Sequence, residues 1–178
     1  MRSKKTQAGI AGGHMSDNKK IGKFMVAAGA IIEHPTEAKI LITKRQNTDQ
    51  ENHQWELIYG RVDNFEGLFA GLKREVFEET GIDKIKIIKA IRVWNFFRGE
   101  REVKNEIHGI TFICKALTDK VQLNHEHSDY EWIDPVKALE KISVPGIKID
   151  LELYLKHREQ NDLGINFSGN QDETPIYL

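Results

Sequence analysis

Residues 60–82 read GRVDNFEGLFAGLKREVFEETGI, a stretch in which glycines, acidic residues and one arginine recur at fixed intervals. Between Glu66 and Thr80 the apolar residues repeat with the period of a helix, which would gather them on one side. The residues on that side are Leu68, Phe69, Leu72 and Val76. Gly81 follows directly, and glycine ends a helix at little cost because it tolerates a positive φ. We therefore predict a helix over 66–80.

Three glutamates, Glu75, Glu78 and Glu79, fall within little more than one turn of this predicted helix. At about 100° per residue their side chains span an arc of about 100° that borders the apolar side. Carboxylates so close together repel each other, and a hard divalent cation such as Mg²⁺ or Mn²⁺ removes that repulsion. Taken alone, the three residues also fit a solvated helix face, because glutamate is a good helix former.

The wider spacing favours the metal site over the solvated face. The order is Gly60, five residues, Glu66, seven residues, Arg74-Glu75-Val76, one residue, Glu78-Glu79, one residue and Gly81-Ile82. This stretch resembles the Nudix box and agrees with it at every specified position. A looser resemblance, in the order of predicted strands and helices, extends over 24–159. A match of this length is far more specific than a lone glycine-rich motif.

The resemblance implies a fold and an activity. The fold would be of the α/β class, in its α+β form, with a mixed β-sheet sandwiched between α-helices. The activity would be Mg²⁺-dependent hydrolysis of a diphosphate linkage in a nucleotide-like substrate, with Mn²⁺ as an alternative ion.

The resemblance also implies residue roles. Glu75, Glu78 and Glu79 would bind the metal, with the backbone carbonyl of Gly60 as an additional ligand. Arg74 would orient a neighbouring glutamate, and Glu66 would support the ligands from behind. We count Glu75 and Arg74 among the expected catalytic residues.

A candidate general base lies downstream of the box. The loop HEHSDYEW, residues 125–132, resembles the family loop that leads into a late strand, and Glu126 matches its acidic residue. We expect Glu126 to act as a base or metal ligand, the alternative being a surface loop residue. His125 and His127 are expected to face solvent or contact phosphate rather than bind zinc.

Substrate identity is less constrained because subfamilies differ outside the box. Tyr59, Asp63 and Phe65 depart from residues frequent in the family, without touching a specified box position. The proline typical of ADP-ribose hydrolases and the tyrosine typical of diadenosine polyphosphate hydrolases are missing. By elimination we expect a MutT-like nucleoside triphosphate pyrophosphohydrolase. Trp94 or Phe96 could stack on a base, although an aromatic residue in a strand is more often core.

Other functions stay open at this point. The alternatives are a pyrophosphatase of ADP-ribose, nucleotide sugars or dinucleotides, and a catalytically weak nucleotide-sensing domain. A Nudix-like isomerase of isoprenoid diphosphates would need a cysteine at the substrate. The single cysteine, Cys114, lies in an apolar run and is expected to be buried and inert.

The rest of the chain supplies the surrounding elements. Strands are predicted over 24–33, 39–44, 55–62, 85–97, 106–117 and 130–133, and helices over 135–142 and 147–159. Residues 1–14 are expected to be the remnant of an expression tag, residues 15–160 the domain, and residues 161–178 a flexible tail.

Composition narrows the partners. The chain has 178 residues, 39% of them hydrophobic and 30% charged, as in an ordinary globular protein. A formal net charge of −1 gives no basic field for nucleic acid or membrane. We expect a cytoplasmic enzyme whose partner is a small nucleotide, with no membrane or nucleic-acid binding. A homodimer is an option, because family members are often dimers.

Overall fold

The computed structural model describes residues 22–46, 54–160 and 165–166. Within these ranges the chain forms three α-helices and eight β-strands. The strands are Met25–Glu33 (β1), Ile40–Arg45 (β2), Trp55–Glu56 (β3), Ile58–Arg61 (β4), Ile85–Phe97 (β5), Glu106–Ala116 (β6), His127–Ile133 (β7) and Ile165–Asn166 (β8). The helices are Leu68–Thr80 (α1), Pro135–Lys141 (α2) and Pro145–Gln160 (α3).

All eight strands belong to one mixed sheet. Its order is β3-β2-β1-β6-β5-β8, with β4 beside β1 and β7 beside β2. The central pair, β1 and β6, is parallel, whereas the other pairs are antiparallel. A parallel pair needs a long crossover, and the segment from β2 to β5, which contains α1, provides it.

Helices cover both faces of the sheet. On one face, Leu72 and Val76 of α1 pack against Ala30 and Phe112. On the other face, Leu151 of α3 belongs to a second cluster that includes strand residues such as Ile31 and Ile113. Neighbouring residues of β1 therefore point into different cores, as the two-residue period of a strand requires. The predicted sandwich of a mixed sheet between helices is confirmed.

The central helix begins two residues later than the sequence pattern predicts. Gly67 is extended, with φ −71° and ψ 148°, and precedes the first helical residue. At the other end Gly81 has φ 70°, and its N–H donates to the carbonyl of Phe77 at 2.8 Å. The predicted role of Gly81 as the residue that ends the helix is therefore confirmed.

Cys114 is fully buried in β6, and burial raises the pKa of its thiol above the usual range. The expectation of a buried, unreactive cysteine is confirmed, and this weighs against chemistry that needs an exposed thiol.

Parts of the predicted organisation lie outside the described residues. These are residues 1–21, which contain the expected tag remnant, most of the loop between β2 and β3, and most of the expected tail. Within that tail, Ile165 and Asn166 pair with Ala90 and Lys89 of β5. None of the helices in the described ranges has the length and apolar character of a membrane span.

Candidate active site

The loop before α1 is pressed against the helix by one close contact. The Glu75 side chain lies so near the backbone of Gly60 that a Cβ atom at position 60 would come within 1.8 Å of Glu75 Cδ. Gly60 itself is fixed by β4, where it pairs with Ala28 of β1. Only glycine permits this approach. The Gly60 backbone and the Glu75 carboxylate are therefore neighbours, as a shared metal site would require.

Arg74 connects three carboxylates. Its Nε and Nη2 atoms donate to the two oxygens of Glu66, at 2.8 and 2.9 Å. Its Nη1 atom donates to Glu75 at 3.0 Å and to Glu78 at 3.1 Å. Nη2 also donates to the carbonyl of Arg61 at 2.8 Å. A planar guanidinium with this many donors holds its partners in fixed directions.

Glu66 anchors that arginine. The hydrogen bonds from Arg74 lower the pKa of Glu66, and the backbone N–H of Asp63 donates to the same carboxylate at 3.0 Å. Gly71 leaves room for this group, since a Cβ there would meet a Glu66 oxygen at 2.9 Å. Glu66 therefore stays ionised and supports Arg74, behind the candidate metal ligands.

Glu79 is the most perturbed acid in the region. It is 6% exposed, and burial, followed by repulsion from Glu56, Glu75 and Glu126, raises its pKa to about 9. The pKa of Glu75 is also raised, mainly by burial, and Arg74 opposes this rise. These carboxylates need a positive partner to be charged at neutral pH.

Glu126 lies close to Glu75 and Glu79. Its carboxylate accepts from Arg45 Nη2 at 3.4 Å, and Arg45 Nη1 donates to Glu56 at 3.0 Å. Charge on Glu126 raises the pKa of both Glu75 and Glu79, so the groups share one electrostatic environment. We refer to Glu56, Glu75, Glu79 and Glu126 as the acid cluster.

The sequence analysis did not identify Glu56 or Arg45 as part of the site. It also expected His127 to face solvent or contact phosphate, and this was wrong. The His127 side chain is fully buried, with Nε2 3.2 Å from a Glu56 oxygen, whereas His125 is exposed as expected. Strand pairing explains the difference, because Arg45 of β2 faces His127 of β7 and Thr43 of β2 faces Glu56 of β3. The box itself carries no signal for these partners, which lie on other strands.

The two aromatic candidates lie elsewhere. The Trp94 indole donates to Thr111 Oγ1 at 2.9 Å, and Thr111 in turn donates to Asp150 of α3 at 2.9 Å. The Trp94 ring stacks on Phe96, with centroids 5.6 Å apart, and Phe96 is 48% exposed. This pair therefore lies on the α3 face of the sheet, and α1 with its glutamates lies on the other.

The donor set suits a hard divalent cation. Its atoms are carboxylate oxygens and the carbonyl of Gly60, the ligands that Mg²⁺ and Mn²⁺ prefer. The raised pKa of Glu79 identifies a buried carboxylate whose charge such an ion would compensate. Across the described residues, no three acidic or histidine side chains already converge on one point. Arg74 instead holds Glu75 and Glu78, which must turn to share an ion.

Comparisons with known proteins agree with this geometry. The family described as NUDIX domain matches residues 23–150. The RNA pyrophosphohydrolase of Bartonella quintana is 40% identical over 57 residues, which are 32% of this chain and 33% of that protein. Nucleoside triphosphatase NudI of Escherichia coli is 33% identical over 90 residues, which are 46% of this chain and 62% of that protein.

A solved structure extends the similarity over most of the domain. The MutT protein from Methanosarcina mazei Go1 superimposes with a TM-score of 0.60 at 25% identity, covering 78% of this chain and 95% of that one. The two curated relatives are matched over 33% and 62% of their own lengths, so their whole activities do not transfer directly.

Proposed function

The chain belongs to the Nudix family and is a hydrolase of pyrophosphate bonds in nucleotides, and from this premise we propose that it is a nucleoside triphosphate pyrophosphohydrolase. The observation that carries the proposal is the acid cluster, gathered around a buried Glu79 whose pKa is raised to about 9. A group of carboxylates beside a glycine, one of them buried, suits a cation that in turn binds substrate phosphates.

Six residues of the box take part in this proposal. Glu75, Glu78, Glu79 and the Gly60 carbonyl would hold Mg²⁺ or Mn²⁺. When bound, the ion polarises the phosphoryl group and makes water more acidic. Arg74 directs the Glu75 carboxylate and opposes the rise in its pKa, and is itself held by Glu66.

Glu126 is the proposed general base. Its carboxylate is 43% exposed, so water can reach it, and it lies 3.4 Å from Arg45 Nη2. Water attacks one phosphorus of the anhydride, and its proton passes to Glu126. The bond from that phosphorus to the bridging oxygen breaks, and this oxygen leaves with the second phosphoryl group. A nucleoside triphosphate would give a nucleoside monophosphate and pyrophosphate.

The substrate class rests on two supports. The relative named nucleoside triphosphatase NudI is 33% identical over 90 residues, whereas the RNA pyrophosphohydrolase of Bartonella henselae is 24% identical over 134 residues. A formal net charge of −1 gives long RNA no general attraction.

A substrate panel tests the proposal. Purified protein is incubated with Mg²⁺ and nucleoside triphosphates, ADP-ribose, a dinucleoside polyphosphate or 5′-triphosphorylated RNA, and the products are identified by chromatography. We expect equal amounts of nucleoside monophosphate and pyrophosphate from a triphosphate. Reaction in ¹⁸O-labelled water then identifies the phosphorus that is attacked.

Matched variants connect the activity to the cluster. Glu126→Gln should lower kcat about 100-fold or more, because it removes the base. Asp129→Asn removes an exposed acid three residues away and should retain activity. Preferred cleavage of ADP-ribose or RNA would contradict the proposed substrate class. Equal activity of Glu126→Gln and wild type would remove Glu126 from the mechanism.

A further inference from the structure

His127 begins β7 with its imidazole fully enclosed, and both ring nitrogens face polar atoms. Nε2 lies 3.2 Å from Oε1 of Glu56 and 3.9 Å from Oε2 of Glu79. Nδ1 lies 3.4 Å from Oδ1 of Asn124. An imidazole enclosed in this way adopts one orientation, which its partners determine.

Asn124 fixes the direction of the ring. Its Oδ1 atom accepts from the backbone N–H of Glu126 at 2.9 Å, so the oxygen of the amide faces this side. Both ring nitrogens of His127 therefore face acceptor oxygens, Asn124 Oδ1 and Glu56 Oε1, and the ring donates to both when each nitrogen carries a hydrogen. In metal sites generally, the carboxylates that bind the ion are themselves held by hydrogen-bond partners behind them.

The loop that carries His127 is attached to the end of α1. The backbone N–H of Gln122 donates to the carbonyl of Thr80 at 2.8 Å, and that of Asn124 approaches the carbonyl of Glu79 at 3.4 Å. The distance between His127 and the Glu79 backbone is therefore set by hydrogen bonds, which place the imidazole 3.9 Å from the Glu79 carboxylate.

Glu56 is held from two sides. Arg45 donates to the same Oε1 atom of Glu56 at 3.0 Å, from a side chain that is 48% exposed. His127 contacts that atom from the interior, where no water competes. The exposed arginine can swing away on a rotamer change, but the enclosed imidazole cannot. The interior contact therefore restrains the Glu56 carboxylate on its buried side.

We propose that His127 is a positioning residue for cation binding: it holds Glu56 and Glu79 so that both carboxylates face Glu75 and Glu126. The inference rests on the proposed function, because it assigns the acid cluster to a divalent cation. It adds Glu56 to the groups that determine cation affinity. A histidine that merely filled space could be replaced by any side chain of similar volume, and this difference can be measured.

The test is to measure the affinity of the full chain for Mn²⁺ by isothermal titration calorimetry in the absence of nucleotide. His127→Phe keeps a ring of similar size and removes both nitrogens, so Mn²⁺ should bind about 10- to 100-fold more weakly. His127→Gln places an amide N–H near the position of Nε2 and should bind within about threefold of wild type. His125→Phe alters an exposed histidine of the same loop and should bind like wild type.

Folding is checked separately by the melting temperature of each variant without metal. Should His127→Phe fail to fold, His127→Asn takes its place, because it retains a polar group near Asn124 and does not reach Glu56. Loss of affinity in the Phe or Asn variant with rescue in the Gln variant supports the inference. Wild-type affinity in a folded Phe or Asn variant overturns it, as does equal loss in the Gln variant.

The proposed function fails in a different way. If the wild-type protein binds no Mn²⁺ and Glu79→Gln does not change this result, the proposed cation site is wrong. The proposed role of His127 is then wrong as well. If wild type binds Mn²⁺ and Glu79→Gln does not, the site stands, and the His127 variants alone decide the inference.

Discussion

The Glu75 carboxylate lies directly against the backbone of Gly60, at a distance that leaves no space for a Cβ atom. The contact joins β4 to the middle of α1, and it places the Gly60 backbone beside the first glutamate of the helix. A glycine at position 60 is therefore a steric requirement of the site. Replacing it with alanine, which adds one methyl group, tests this requirement.

Gly60→Ala should displace Glu75 and lower kcat/KM about 100-fold or more, because the added Cβ would lie 1.8 Å from Glu75 Cδ. Gly146→Ala is the matched control, since a Cβ at position 146 meets nothing within 4 Å. Steady-state kinetics with a nucleoside triphosphate checks both. A Gly60→Ala enzyme of normal activity would show that Glu75 does not need this position.

Glu79→Gln should stabilise the metal-free protein, most strongly at high pH. The pKa of Glu79 is about 9 in the folded state against a usual value of 4.5, so between these values the folded state binds more protons than the unfolded state. Stability therefore falls as pH rises from about 4.5 to about 9, and glutamine removes this loss. Melting temperatures in EDTA should diverge from about pH 5 to about pH 9; a gap that does not change with pH would contradict this.

Asp150 should matter for stability through a buried network on the α3 face. It is 1% exposed and accepts hydrogen bonds from Arg92 at 2.8 Å, from Thr111 at 2.9 Å and from Tyr59. Asp150→Asn leaves Arg92 without its charged partner and should lower the free energy of unfolding by about 3 kcal/mol. Tyr59→Phe removes one hydrogen bond and should cost about 1 kcal/mol. Urea unfolding measures both, and equal losses would argue against the ion pair as the main contribution.

Phe96 should contribute little to nucleotide affinity, because the Trp94–Phe96 pair lies on the α3 face of the sheet and the glutamates of α1 lie on the other face. Phe96→Ala should therefore leave both KM and kcat for a nucleoside triphosphate nearly unchanged. Steady-state kinetics checks this. A KM raised about tenfold, the loss expected when a ring that stacks on a base is removed, would place the base on the α3 face.

The sequence predicted the local parts of this site well. Spacing within residues 60–82 predicts the helix, its glycine end and the neighbourhood of Glu75, because these features depend on contacts along one short segment. The helix start was predicted too early by two residues, since Glu66 uses its carboxylate to bind Arg74 and the backbone N–H of Asp63 before the helix begins. The spacing of apolar residues carries no information about these polar contacts.

Contacts between distant segments were not predictable in the same way. Glu56 and Arg45 join the acid cluster because β2 pairs with both β3 and β7, and no spacing rule encodes that register. The same pairing carries His127 into the interior, although its polar neighbours indicated a solvent-facing loop. The aromatic residues of β5 were named from their type alone, and strand alternation then decided that Trp94 faces α3.

The most direct test of the central claim is anomalous diffraction from crystals grown with Mn²⁺ and a slowly hydrolysed nucleoside triphosphate analogue. We predict an anomalous peak bounded by Glu75, Glu79 and the Gly60 carbonyl, with the analogue's phosphates on its far side. A peak at another site, with the acid cluster still bonded to Arg74 and Arg45, would contradict the account.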